Sequence, residues 1–391
     1  MADALASGAS DRKIVGVQVP PRPPRCWVSN QMKRAPTDKV TPVRSWLLAV
    51  CLVTLLSSCA DDPGTGQEQT TSTLAAPLST STTTLMATST STSTSTSTTT
   101  LPPVQIFGEF DDVVEAAALG PLPEDFPLGR AAASSSPLYE NRCHASTSAI
   151  DPVGCEFGDL DSNVVIVFTG DSHAAQWFGA FEVAARTNHW RLIAMTKSSC
   201  PVADVPTYRR RDALPDGEEL LYPECNEFHT RTHSRIRELQ PDLVIFPVLS
   251  RYHLVNNGGI AAFSAGLGDS ISAIAGLGTK VLVLGETPKT NGEDIPSCLA
   301  RHKNDIAICA NMRSRAESPQ RVKYLSETAA EHSATYVNPV DWFCTIDVCP
   351  GEIGGRIVYR DYNHISDQFA RYRAPQIGEA IKVALRGPDA T

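Results

Sequence analysis

Val164-Val165-Ile166-Val167-Phe168-Thr169-Gly170-Asp171-Ser172-His173 is the stretch whose reading decides the fold. Its first six residues are apolar or β-branched without alternation, as expected of a strand buried on both faces of a parallel sheet. Gly170 allows a tight turn, and Ala174 to Thr187 reads as the helix that follows. The same rhythm continues along the chain. Strands are predicted at Arg191 to Met195, Leu243 to Val248, Lys280 to Leu284 and Thr335 to Val337. Helices are predicted at Glu227 to Leu239, Ile260 to Ala275, Gln320 to His332 and Gln368 to Val383. Strands alternating with helices predict an α/β fold, a three-layer αβα sandwich around a mostly parallel sheet with its sites at the carboxyl ends of the strands.

In that frame Ser172 stands where the first buried strand ends and a helix begins, so helix-start N–H groups lie at hand for an oxyanion. A second copy of the tripeptide, Gly268-Asp269-Ser270, sits in a small-residue stretch with no β-branched run before it. It lacks the strand-to-helix context and reads as a decoy. A serine hydroxyl is a weak nucleophile until a base takes its proton and a carboxylate orients that base. Arg360-Asp361-Tyr362-Asn363-His364 supplies both partners three residues apart, just ahead of the last predicted helix. A lone DxxH is ordinarily a surface loop, but together with the well-placed GDSH it makes Ser172, His364 and Asp361 a candidate triad. The neighbours have plainer readings: His173 hydrogen-bonds at the helix start, Trp177 packs, and Asp171 fixes the turn backbone.

The net charge of the 391 residues is −9. The first 45 residues hold eight Lys/Arg against three Asp/Glu, which leaves 26 against 40 in the rest, a net of −14. So acidic a remainder argues against a nucleic-acid partner. Arg44 precedes an apolar run, Trp46 to Leu56, that ends in Leu56-Ser57-Ser58-Cys59. The run is about half of the roughly 20 residues needed to span a bilayer, so it reads as the core of a signal peptide. Small residues before the cysteine resemble a lipobox, in which Cys59 takes a diacylglyceryl group; an ordinary cleaved signal is the alternative. Residues 1–59 are thus leader and signal, and 1–31 read as a misplaced start because Met32-Lys33-Arg34 begins a signal of normal size. Residues 60–104, dominated by Ser and Thr, have no apolar face to bury and read as a disordered stalk of about 35 Å reach. One globular domain then occupies 105–391.

Setting aside Cys26, Cys51 and Cys59 leaves eight of the 11 cysteines: Cys143, Cys155, Cys200, Cys225, Cys298, Cys309, Cys344 and Cys349. An even number in an exported domain predicts disulfides, and sequence neighbours fall into four short brackets, 143 with 155, 200 with 225, 298 with 309 and 344 with 349. Zinc is the competing reading, but no CxxC or HExxH occurs, and the nine histidines show no ligand spacing. No metal and no cofactor are expected.

Taken in order, these motifs resemble the SGNH hydrolase superfamily, with GDSH near the start of the domain and DxxH near its end. The closer resemblance is to the SGNH domain of acyltransferase-3-type surface-polysaccharide O-acetyltransferases. It runs from about residue 120 to the end. It is carried by Cys155-Glu156-Phe157-Gly158-Asp159, Gly170-Asp171-Ser172-His173-Ala174 with Trp177, and Lys197-Ser198-Ser199-Cys200-Pro201. Glu286-Thr287-Pro288, Cys298-Leu299-Ala300, Phe343-Cys344, Cys349-Pro350 and Tyr359-Arg360-Asp361-Tyr362-Asn363-His364-Ile365-Ser366 complete it. The resemblance implies an SGNH/flavodoxin-like sheet and an acyl-serine at Ser172, resolved by His364 with Asp361 behind it. Two departures stand out. Ser250-Arg251-Tyr252 follows the third strand where a GxND block is expected, so Gly170, Arg251 and the backbone near Ser198 are the candidates to complete the oxyanion or substrate site. No membrane acyltransferase domain precedes this one, so the acyl group is expected either from a separate membrane acyltransferase or from an ester already outside the cell.

Three functions follow. The first is an O-acyltransferase that passes a short acyl group, acetyl foremost, to a cell-envelope glycan. The second is an O-acetyl esterase with water as acceptor. The third, an inactive glycan-binding lipoprotein, is disfavoured by the intact Ser172, Asp361 and His364. All three place a lipid-anchored protein on the outer face of the cell membrane.

Overall fold

The computed structural model describes residues 110–387, except 130–132 and 210–219. The leader and signal read over 1–59, Cys59 and the tract at 60–104 lie outside the described residues.

The described chain opens with helix α1 (Asp111–Ala116) and two short strands, β1 (His144–Ala145) and β2 (Cys155–Gly158). The fold-deciding run forms β3 (Val165–Gly170), followed by α2 (Ser172–Ala175), α3 (Phe178–Thr187) and β4 (Arg191–Lys197). Next come α4 (Pro223–Leu239), β5 (Leu243–Pro247), α5 (Gly259–Ala275) and β6 (Lys280–Leu284). A loop-rich stretch with α6 (Ile295–Arg301), β7 (Asn311–Met312) and α7 (Arg313–Ala316) leads to α8 (Pro319–Glu331) and β8 (Thr335–Val337). The last part holds β9 (Val348–Cys349), β10 (Glu352–Ile353), β11 (Arg356–Ile357), α9 (Asp367–Tyr372) and α10 (Ala374–Arg386).

Seven strands form the central sheet in the order β1-β4-β3-β5-β6-β8, with β2 also on β4. Every pair is parallel except β2 with β4. From β3 the chain winds first to β4 on one side and then to β5 on the other, so the winding reverses between β3 and β5. In open α/β sheets that reversal opens a crevice at the carboxyl ends of the strands.

Alternate residues of each strand supply two cores, because successive side chains point to opposite faces. Ile166 and Phe168 of β3, with Leu192, Ile245 and Leu282, pack with Phe178 and Phe181 of α3 and Ile377 and Ile381 of α10. Val167, with Ile193, Val244 and Val283, packs with Phe263, Leu267 and Ile271 of α5 and Leu325 of α8. Three layers result, a mostly parallel sheet between two helical faces, as the strand–helix rhythm predicts. No described helix is long and apolar enough to cross a membrane.

Two of the predicted helices are divided. The one read at Ala174 to Thr187 breaks at Gln176-Trp177, where Trp177 donates to Ala174 at 3.2 Å and its buried ring meets Trp342 and Phe343 edge-on. The one read at Gln368 to Val383 breaks at Arg373, because Pro375 lacks an N–H and its ring would clash with the carbonyl four residues back. Helix α4 begins one turn earlier than Glu227, at Pro223, a residue preorganised for a first helical turn. Disulfides join Cys143 to Cys155, Cys200 to Cys225, Cys298 to Cys309 and Cys344 to Cys349, the four sequence-neighbour pairs.

Candidate active site

Ser172 is placed by its two predecessors. Gly170 ends β3 with φ +138°, and a Cβ there would lie 2.9 Å from both Ala174 Cβ and Val202 Cγ1. Neither the angle nor the space admits a side chain. Asp171 then caps α2. Its Oδ1 accepts the amides of His173 at 2.7 Å and Ala174 at 3.2 Å, and its Oδ2 accepts the Tyr252 hydroxyl at 2.5 Å. Burial pushes the Asp171 carboxyl up to about 6, against the lowering effect of these three bonds. With those amides taken, the Ser172 amide is the uncommitted N–H of that turn among the described residues.

The partners of Ser172 come from a tight loop near the other end of the chain. Tyr359 bridges Ile365, and the Arg360 amide donates to the His364 carbonyl at 2.9 Å. Within that loop Asp361 Oδ1 accepts the amides of Asn363 and His364, each at 2.7 Å. The imidazole of His364 is held from both sides: Nδ1 is 3.0 Å from Asp361 Oδ2, and Nε2 is 2.9 Å from Ser172 Oγ. Burial alone would raise the Asp361 carboxyl. The bond and charge of His364 outweigh it and hold the group well below the usual carboxylate range. The structure thus brings Ser172, His364 and Asp361 together from positions nearly 200 residues apart in a hydroxyl–imidazole–carboxylate line, a geometry in which a hydroxyl can pass its proton to the ring.

A second link joins the two segments and left no mark in the sequence pattern. Gln176, one turn after Ser172, accepts the Ile365 amide through Oε1 at 2.9 Å. Buried His173 lies 3.4 Å from Gln176 Nε2 and 3.0 Å from Asn363 Nδ2, and its ring centroid is 4.7 Å from that of His364. The helix start and the loop therefore lock together side by side.

Ser172 opens on a cleft of about 320 Å³ at the β3–β5 reversal, lined also by Ser199, Tyr208, Arg251, Tyr252 and Tyr362. Arg251 thus shares the cleft with Ser172. Ser198 does not: its amide donates to Ala145 at 2.9 Å, its carbonyl accepts the Tyr222 hydroxyl, and its own hydroxyl lies 3.0 Å from His144 Nε2. Ser199, in the left-handed region with φ +55°, reaches the cleft in its place. The segment is anchored by buried Lys197, whose ammonium donates to the carbonyls of Ser146, Thr147 and Ala149 and is pushed down to about 8 by burial. Cys200, Cys225 and His229 are close enough to suggest a metal centre, but their two sulfurs are joined in a disulfide and offer no thiolate.

A mostly parallel sheet flanked by helices is the architecture of the SGNH and GDSL hydrolases. Within that class the chain belongs to the family described as the SGNH domain fused to AT3 domains, whose model matches residues 142–379. Solved structures are similar at low identity. One is the periplasmic domain of a lipopolysaccharide acetyltransferase from Salmonella ser. Paratyphi A, with 15% identity, TM-score 0.48, and coverage of 65% of this chain and 99% of that one. A GDSL-like lipase from Bacteroides thetaiotaomicron follows at 15% identity and TM-score 0.33, covering 56% and 87%. An acetyl-xylooligosaccharide esterase from Geobacillus has 13% identity and TM-score 0.34, covering 57% and 97%. No curated protein sequence matches.

Proposed function

We propose that this protein is an extracytoplasmic O-acyltransferase that carries a short acyl group, acetyl foremost, on Ser172 and passes it to a hydroxyl of a cell-envelope glycan. The observation that carries the reading is the placement of His364 Nε2, 2.9 Å from Ser172 Oγ, with Asp361 3.0 Å behind the ring, at the mouth of a cleft. Ser172 Oγ attacks the acyl carbonyl carbon as its proton moves to His364 Nε2. Asp361 stabilises the imidazolium through Nδ1–H. The Ser172 amide donates to the oxyanion. When the tetrahedral intermediate collapses, the bond to the leaving oxygen breaks and His364 protonates that oxygen. In the second half-reaction the glycan hydroxyl gives its proton to His364 and attacks the acyl-serine; the acyl–Oγ bond breaks and His364 returns the proton to Oγ, which regenerates Ser172.

Water in place of the glycan hydroxyl makes the same acyl-serine an O-acetyl esterase. The two outcomes differ only in whether water is kept from the intermediate. In our reading a separate membrane acyltransferase presents the acyl donor, Cys59 carries the lipid anchor, and residues 60–104 tether the domain at 105–391. The test is mass spectrometry of the full-length protein after exposure to an activated acetyl ester. One acetyl group should appear on the peptide containing Ser172 and none on Ser172→Ala; an unacetylated wild-type serine overturns the reading. Fatty-acid labelling of wild type but not of Cys59→Ala checks the anchor.

A further inference from the structure

Arg251 lines the cleft beside Ser172 yet takes no part in the triad. Its side chain is 19% exposed, but among the described residues its guanidinium makes no hydrogen bond. The carboxylate facing it, Glu286 Oε1, is 3.9 Å from Nε, and that oxygen already accepts the amide and hydroxyl of Ser250 at 2.7 and 3.0 Å. Lys289 also feels Glu286, and Arg321 lies close enough to repel both Arg251 and Lys289. Burial pushes the Arg251 guanidinium down, and the nearby carboxylates of Glu286 and Asp171 push it back up. At any working pH it keeps its charge and its five donors. A largely buried charge with unspent donors is unfavourable until an acceptor arrives.

The rest of the cleft points to what that acceptor is. The chain carries a net charge of −9, yet among the described residues the cleft wall holds two arginines and no Asp or Glu. The other arginine, Arg209, has its charge paired by a direct bond to Glu224, whereas the carboxylate facing Arg251 stays 3.9 Å away. Tyr208, Tyr252 and the 51% exposed Tyr362 add aromatic surface of the kind on which sugar rings pack.

We infer that Arg251 is a specificity residue that reads an anionic group, a carboxylate or a phosphate ester, on the sugar bound beside Ser172. The inference rests on the acyl-transfer reading for its placement of the glycan, but it is tested separately from that reading. The planar guanidinium fork matches two oxygens of either group, whereas a neutral sugar hydroxyl satisfies a donor without meeting the charge.

The experiment uses the full-length Ser172→Ala protein, which binds without turnover, and titrates it with three probes: tri-galacturonate, neutral galactotriose and a short glycerol-phosphate oligomer. One anionic probe should bind at least about tenfold more tightly than galactotriose, and more weakly as salt rises. The tighter of the two names the group. In Ser172→Ala/Arg251→Gln the advantage should fall to within about twofold, and Arg251→Lys should retain part of it. Equal binding of charged and neutral probes overturns the inference, as does an anionic preference that survives Arg251→Gln. In the wild-type background, Arg251→Gln should reduce turnover of acetylated galacturonate far more than that of acetylated galactose. An equal loss on both esters would assign Arg251 to the oxyanion and overturn the specificity role. If no ester is turned over while the binding preference holds, the acyl-transfer reading fails and the anionic glycan site stands.

Discussion

Gly-Asp-Ser occurs twice in this chain, and the two copies do opposite things. At 170–172 the glycine closes a strand, the aspartate caps a helix, and the serine emerges at the sheet edge within 2.9 Å of an imidazole. At 268–270 the tripeptide lies inside α5, Asp269 faces solvent, and the fully buried Ser270 accepts the amide of Asp204 at 3.1 Å. Here Gly268 packs against the tip of the His332 ring instead of opening a turn. What separates the copies is their position relative to the carboxyl edge of the sheet. The first stands at a strand end, where a side chain can meet a cleft; the second is helix interior, where the same hydroxyl serves as structural filler.

The largest expected difference between the copies is in turnover. Ser172→Ala should lower acyl-ester turnover by about 10⁴-fold to 10⁶-fold, while Ser270→Ala keeps most of it. Hydrolysis rates of a soluble acetyl ester by the two variants measure this, and the reverse ranking would exchange the roles of the copies. Asp361→Asn should cost on the order of 10⁴-fold, because the wrong tautomer of His364 is then favoured while the geometry persists.

A second contrast is in stability, read by urea unfolding. Gly170→Ala should lose about 3 kcal/mol, from the +138° angle together with contacts at 2.9 Å. Gly268→Ala should lose less, about 1 to 2 kcal/mol, since the close contact is with a ring tip that can move at the expense of its bond to Ser272, while alanine favours the helix. Equal losses would mean that the strand-end turn has no special requirement for glycine.

The smallest contrast is in the response to pH. The folded-state pKa of Asp171, about 6, lies above the ordinary aspartate value, so the folded protein binds a proton that the unfolded chain has released. Its stabilising contribution is complete below the ordinary value and is lost as pH rises through 6, by at most about 3 kcal/mol. Asp171→Asn should therefore be stabilised relative to wild type above pH 6 and lose that advantage toward pH 4. Asp269→Asn should track wild type across the whole range, as thermal melts from pH 4 to 8 would show.

Much of this was legible because the signals are local. The unbroken apolar run into Gly170 marks a buried strand and its end, and Asp361 and His364 lie close enough to bond each other. The four disulfides likewise join sequence neighbours. What was not legible depends on residues far apart. The Tyr252 bond to Asp171 spans 81 positions and the Gln176 bond to Ile365 spans 189, and neither residue type is distinctive alone. Which of two adjacent serines reaches the cleft follows from a single positive φ at Ser199, and that cannot be read from two identical letters. The pairs β7 with β9 and β10 with β11 are two residues long, too short to display any periodicity.

The bond from Gln176 to Ile365 also bears on the order in which the site is assembled during synthesis. Domains build from the N-terminus as the chain emerges. The strand, turn and serine are made first, and the loop that carries His364 follows 192 positions after Ser172. A chain interrupted before residue 365 has neither the imidazole nor the amide that Gln176 accepts. In the proposed mechanism such a chain would hold a serine without its base.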